Sequence, residues 1–164
     1  MPRLTSSHAG AYPASRAVSY GAVGGLGGAL VMGVLALMMP IPGTGGAPFF
    51  VAAAMMMGMG SMVAAAGWGL HLFTGIIVGA IFGTIVAGVS ALHPRTAVRA
   101  TGLGVAAGVA VWVVVFMPLM IMLMPALTGM PMLVGGSFVA HVVFGLVLGG
   151  ATSRAIPKAS ALQV

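Results

Sequence analysis

From Phe49 to Leu92 the chain runs for 44 residues without one charged side chain. A single helix of that length would reach roughly 66 Å, at 1.5 Å per residue. The hydrocarbon layer of a bilayer is about 30 Å thick. The run is therefore too apolar for water and too long for one crossing, so it has to break. Glycines offer two places, Gly58-Met59-Gly60-Ser61 and Gly67-Trp68-Gly69.

The rest of the chain has the same character. It is 60% hydrophobic and 4% charged, whereas a soluble domain carries about 25% charged residues. The expected fold is an all-α integral membrane protein with four transmembrane helices and an outer half-helix near 49–64. Span 1 is expected over about Tyr20 to Met39 and ends at Met39-Pro40-Ile41-Pro42, because proline cannot continue a helix. Span 2 lies within about Ala65 to Leu92. Span 3 covers about Thr101 to Met124, with Pro118 as a kink, and Pro125 to Pro131 is a short turn. Span 4 covers about Met132 to Ser153.

The six cations are Arg3, Arg16, Arg95, Arg99, Arg154 and Lys158. Short loops rich in Arg and Lys stay on the cytoplasmic side. Four spans put every cation there and leave both outer connections uncharged; a fifth span through 49–66 would divide the cations between the two sides. This predicts a flexible cytoplasmic tail at 1–17, a first unit at 18–92 and a basic cytoplasmic loop at 93–99. A second unit at 100–154 and a cytoplasmic tail at 155–164 follow. The chain is expected in the cell (inner) membrane, with both termini cytoplasmic and the lipid bilayer as its main partner. The scattered cations form no nucleic-acid patch.

There is no Asp, no Glu and no Cys. That excludes carboxylate acid–base chemistry, hard-cation cages, thiolate nucleophiles and disulfides. The chain is expected to be non-enzymatic.

A shift of seventy residues brings Met62 onto Met132, Trp68 onto Phe138, His71 onto His141, Gly75 onto Gly145 and Gly79 onto Gly149. A looser match joins Gly25-Leu26-Gly27 to Gly102-Leu103-Gly104. Two parallel two-helix repeats would give this pattern, each a small-residue helix followed by a His-Gly helix. Glycines four apart share a helix face and let backbones approach closely. Gly75, Gly79, Gly83, Gly104, Gly108, Gly145 and Gly149 are the expected packing positions. Such faces suit a structural or accessory component of a membrane assembly, bound to other membrane subunits or to itself.

The motif W-x2-H-x3-G-x3-G at Trp68 to Gly79 resembles small inner-membrane proteins of the YagU-like kind. The resemblance implies a bacterial or archaeal membrane location and no established activity.

His71 and His141 carry the remaining chemistry. An ionisable group inside a membrane helix is costly and marks a candidate site. The bland reading has each neutral ring donating to a carbonyl or hydroxyl, with Thr74 or backbone freed by Pro118 as acceptors. His8 and His93 are read as solvated side chains. Thioethers and imidazoles also suit Cu(I). Met62, Met132, Met120 and Met124 would then join the two histidines from the outer half. A b-type haem between spans 2 and 4, held by both histidines, is a further alternative. The residues favour no cofactor over either.

Overall fold

The computed structural model describes residues 13–156. The tail assignments for 1–12 and 157–164 lie outside the described residues. Everything described is helix, turn or loop, and four helices are long and apolar enough to cross a membrane.

Helix α1 runs Ala14–Leu37. It starts earlier than the sequence suggests, so residues 14–17 belong to the helix and not to a tail. Ala-Ser-Arg-Ala directly after Pro13 favours helix, and Pro13 sits where a missing N–H does no harm. Beyond Met38 the chain enters an ordered loop. There Ile41 N–H donates to Ala47 O at 2.9 Å, and Thr44 Oγ1 donates to Ile41 O at 2.7 Å.

The uncharged run does break, and it breaks at Gly58 and Gly60, whose φ angles of 71° and 55° favour glycine. Helix α2 is Phe49–Met56, eight residues or about 12 Å long, too short to cross a bilayer. The half-helix expected over 49–64 is thus shorter, and 57–62 forms turns instead. Helix α3 is Val63–Gly88.

Helix α4 is Ala97–Val111, so 97–99 of the expected basic loop are helical. Thr96 explains the early start: its Oγ1 accepts from Arg99 N–H at 3.2 Å, an N-cap. The loop also closes the end of α3. His93 Nε2 donates to Ala87 O at 3.0 Å and the Arg99 guanidinium to Ala91 O at 2.6 Å. His93 is therefore a capping side chain, against the solvated reading. Trp112–Phe116 is a π-type turn joining α4 to α5, Met117–Leu123. Pro118 offers no N–H to the carbonyl four residues back, and Met117 N–H donates to Trp112 O, five back. The expected kink is this widened turn. Helix α6 is Pro131–Thr152.

The long helices form a row in the order α3, α1, α6, α4. Helix α1 holds α3 with one face, where Gly21 and Gly25 meet Gly79 and Gly75. It holds α6 with another, where Gly28 lies under Phe144 and Gly24 under Leu148. On the far side of α6, Gly104 and Gly108 meet Gly145 and His141. These are backbone-to-backbone contacts: a Cβ on Gly79 would lie 2.9 Å from the Gly25 Cα, and one on Gly145 2.7 Å from the Val105 Cα. The glycines expected as packing positions thus pack within the chain.

These contacts also correct the looser sequence match. Gly25 and Gly104 occupy equivalent places against their partners, whereas a side chain at Gly102 would meet open space. The connection from Gly25 to Gly75 is nine residues longer than that from Gly104 to Gly145, and α2 lies in the longer one.

Ala17 lies against Gly83, and Ala100 against Gly149. The start of α1, the end of α3, the start of α4 and the end of α6 therefore share one end of the row. Arg16, Arg95, Arg99 and Arg154 all belong to that end. The opposite end carries α2 and the Pro125–Gly129 turn, without a charge.

Candidate functional site

One cavity of about 410 Å³ lies inside the uncharged half of the row. Its back wall is α1 and α6, its side walls are α3 and the α4–α5 unit, and α2 lies across its outer end. His71 and His141 both line it. The two histidines matched by the seventy-residue shift thus meet in one space.

Each ring has a defined hydrogen bond. His71 Nε2 lies 2.9 Å from Ala29 O, across the α3–α1 interface. His141 Nδ1 lies 2.8 Å from Ser137 O, one turn back on its own helix. A carbonyl only accepts, so each of those nitrogens carries a proton. In the neutral ring the other nitrogen, His71 Nδ1 or His141 Nε2, is then an acceptor. Neither has a hydrogen-bond partner among the described residues. The acceptors used are Ala29 and Ser137, not Thr74 or the backbone near Pro118. The sequence carries no direct sign of either carbonyl, although Gly75 beside Ala29 marks the close approach.

Aromatic rings hold the imidazoles in place. Phe50 stacks on His71 with ring centroids 4.5 Å apart and planes 14° apart. Trp68 meets Phe50 edge-on at 4.8 Å, and Gly33 leaves room for the Trp68 ring. On the other wall Phe116 lies 5.0 Å from His141 and 4.9 Å from Phe49. Adjacent residues of α2 thus reach the ring systems of both histidines. Trp112 Nε1 donates to Ser137 Oγ at 3.0 Å, and that hydroxyl donates to Val134 O at 2.8 Å, which fixes the turn below His141.

The four methionines expected as copper ligands do not reach the cavity. Met62 and Met132 are 65% and 81% exposed and point out of the bundle. Met120 is 0% exposed, in a separate cluster with Ile41, Ala52 and Leu127, and Met124 packs against that cluster. Residue spacing alone does not show which helix face each methionine takes. The thioethers that do line the cavity are Met32, Met39 and Met57. Among the described residues no group of three or more His, Cys, Asp or Glu could hold a metal ion.

The donor set bears differently on the two cofactors. Two imidazole lone pairs with nearby thioethers match Cu(I) preferences, and each ring donates its other N–H to a carbonyl, as metal-ligating histidines do. For haem the fit is poor, because no cation lines the cavity to meet two propionates.

No family model, curated protein or solved structure matches this chain.

Proposed function

We propose that the chain is a non-enzymatic, multi-pass protein of the inner membrane, an accessory component whose working part is a ligand-binding cavity at His71 and His141. Its two helix pairs, α1 with α3 and α4 with α6, are read as parallel repeats. The matching register of Gly25 and Gly104 supports this. Both termini are assigned to the cytoplasm, supported by the four arginines at one end of the row. The packing glycines meet one another inside the chain, which moves the weight of the reading from docking faces to the cavity.

One observation carries the binding role. Two imidazole acceptors line the same apolar space, and no described residue satisfies them. An unmet buried acceptor, as at His141, costs about 1–3 kcal/mol, and a ligand that donates to it removes that cost. Native mass spectrometry of the full chain, released from mild detergent, tests the reading. A small-molecule adduct is expected on the wild type and not on the His71→Phe/His141→Phe variant, with helicity by circular dichroism unchanged. The same adduct on both proteins would sink the proposal.

Cu(I) is the second reading, favoured by Met32, Met39 and Met57 beside the imidazoles. Metal analysis after Cu(I) loading would show a bound ion that is lost in the double His variant and kept in Met62→Leu/Met132→Leu.

A further inference from the structure

The cavity has walls on most sides, and the exception is informative. The back is closed by the glycine contacts of α1 with α6. The outer end is closed by α2, with Phe49 against Phe116 and Ala52 packed with Ile41 and Met120. The two side walls, α3 and the α4–α5 unit, share no extensive interface. Leu70, Thr74 and Val78 on one wall and Val111, Val115 and Leu119 on the other line the space between them. That gap faces sideways, where the outer surface of the row is apolar: Phe73, Ile77, Ile81, Val114 and Ile121 are all exposed. The gap is therefore bordered mainly by apolar side chains, which suits entry from hydrocarbon.

The chemistry of the lining narrows the occupant. No Arg or Lys lines the cavity, so phosphate and carboxylate headgroups have no counter-charge. Its polar side chains are His71, Thr74, Ser137 and His141. His141 is 4% exposed, and its Nε2 has no described partner. Both imidazoles offer acceptors, so the complementary ligand donates. Phe49, Phe50, Phe116 and Phe144 surround the space, a setting that favours a flat ring in offset or edge contact. A volume of about 410 Å³ lies within the roughly 300–1,000 Å³ of small-molecule pockets.

Resting on the ligand-binding reading above, we propose that the site takes the hydroxyl-bearing ring of a membrane-dissolved amphiphile, a phenol or quinol. It enters from the bilayer through the gap between α3 and α4–α5. One hydroxyl donates to a histidine, and the apolar tail remains in the gap. No bond is made or broken.

The test uses the full chain in lipid nanodiscs, with decylhydroquinone as the probe and its bis-methyl ether as the control. The ether keeps shape and tail but cannot donate. Equilibrium binding of the hydroquinone is expected to be at least about tenfold tighter than that of the ether, the value of one lost hydrogen bond to a buried acceptor. In His71→Phe/His141→Phe that preference is expected to vanish. For the route, the absence of native cysteine allows Val78→Cys and Val115→Cys to be joined across the gap by a bis-maleimide. Crosslinked protein is expected to take up the probe at least tenfold more slowly than the same variant left unlinked. Equal affinity for probe and ether overturns the donor class and leaves an acyl chain as occupant. A preserved histidine-dependent preference with unchanged uptake after crosslinking overturns the lateral route alone. No binding of either compound, with no adduct in the native protein, overturns the ligand-binding reading as well.

Discussion

Phe50 lies flat on the imidazole of His71, centroids 4.5 Å apart, and so fastens the short helix α2 to the membrane-length helix α3. Its neighbour Phe49 touches Phe116 on the opposite wall. Phe50→Leu keeps the apolar volume and removes the stack, worth about 0.5–1.5 kcal/mol. The expected result is faster amide hydrogen exchange over 49–56, with exchange in α6 unchanged. Equal protection of α2 in variant and wild type would show that the stack does not hold the cap.

The glycine contacts predict a strong asymmetry among otherwise similar substitutions. Gly79→Val and Gly145→Val push a side chain into facing backbone that has no room to yield. Each is expected to lose at least about 1–3 kcal/mol, the usual cost of overpacking. Gly69→Ala and Gly150→Ala meet open space and should gain about 0.5–1 kcal/mol from helix propensity. Thermal unfolding in detergent measures all four, and a uniform response would contradict the packing described.

The orientation is open to direct labelling, because the chain has no native cysteine. A membrane-impermeant maleimide applied to intact spheroplasts is expected to modify Thr44→Cys and Thr128→Cys. It is expected to spare Arg95→Cys until the membrane is opened. The reverse pattern would invert the topology.

Trp112, in the π-type turn, and Ser137 on α6 are tied at 3.0 Å, one turn before His141. Trp112→Phe and Ser137→Ala, alone and together, form a double-mutant cycle. A coupling near the average for membrane hydrogen bonds is expected, about 0.6 kcal/mol. Additive losses would mean that the contact contributes nothing.

Much of this architecture is visible in residue types. Four long apolar helices, a break in the uncharged run, and the packing role of the glycine rows follow from hydropathy and four-residue spacing, whereas the choice of Gly58 and Gly60 over Gly67 and Gly69 does not. The seventy-residue shift pairs His71 with His141, but that both rings open on one cavity is seen only in the fold. What spacing does not reveal is which backbone carbonyl approaches each ring, because Ala29 and Ser137 act through main-chain atoms common to every residue. Nor does it reveal the methionine faces. Met120 and Met122 sit two residues apart on one helix, yet one is fully buried and the other 79% exposed, since their directions differ by about 200°. The start of α4 is not legible either, because Thr96 reads as loop and only its hydroxyl, accepting from Arg99 N–H, marks the cap.

Helix α1 carries two glycine faces, one for α3 and one for α6. Chain order gives them different histories during synthesis. The face of Gly21 and Gly25 finds its partner soon after, when α3 emerges. The face of Gly24 and Gly28 must wait until α6 has been made. The first hairpin therefore exists for most of translation with an open backbone groove along one side. Closing that groove joins two helices made far apart in time, so a ribosome that stops before α6 leaves a product with its central seam unsealed. Loss of a few C-terminal turns should thus betray itself as a biogenesis and turnover defect, long before any effect on ligand occupancy could be read.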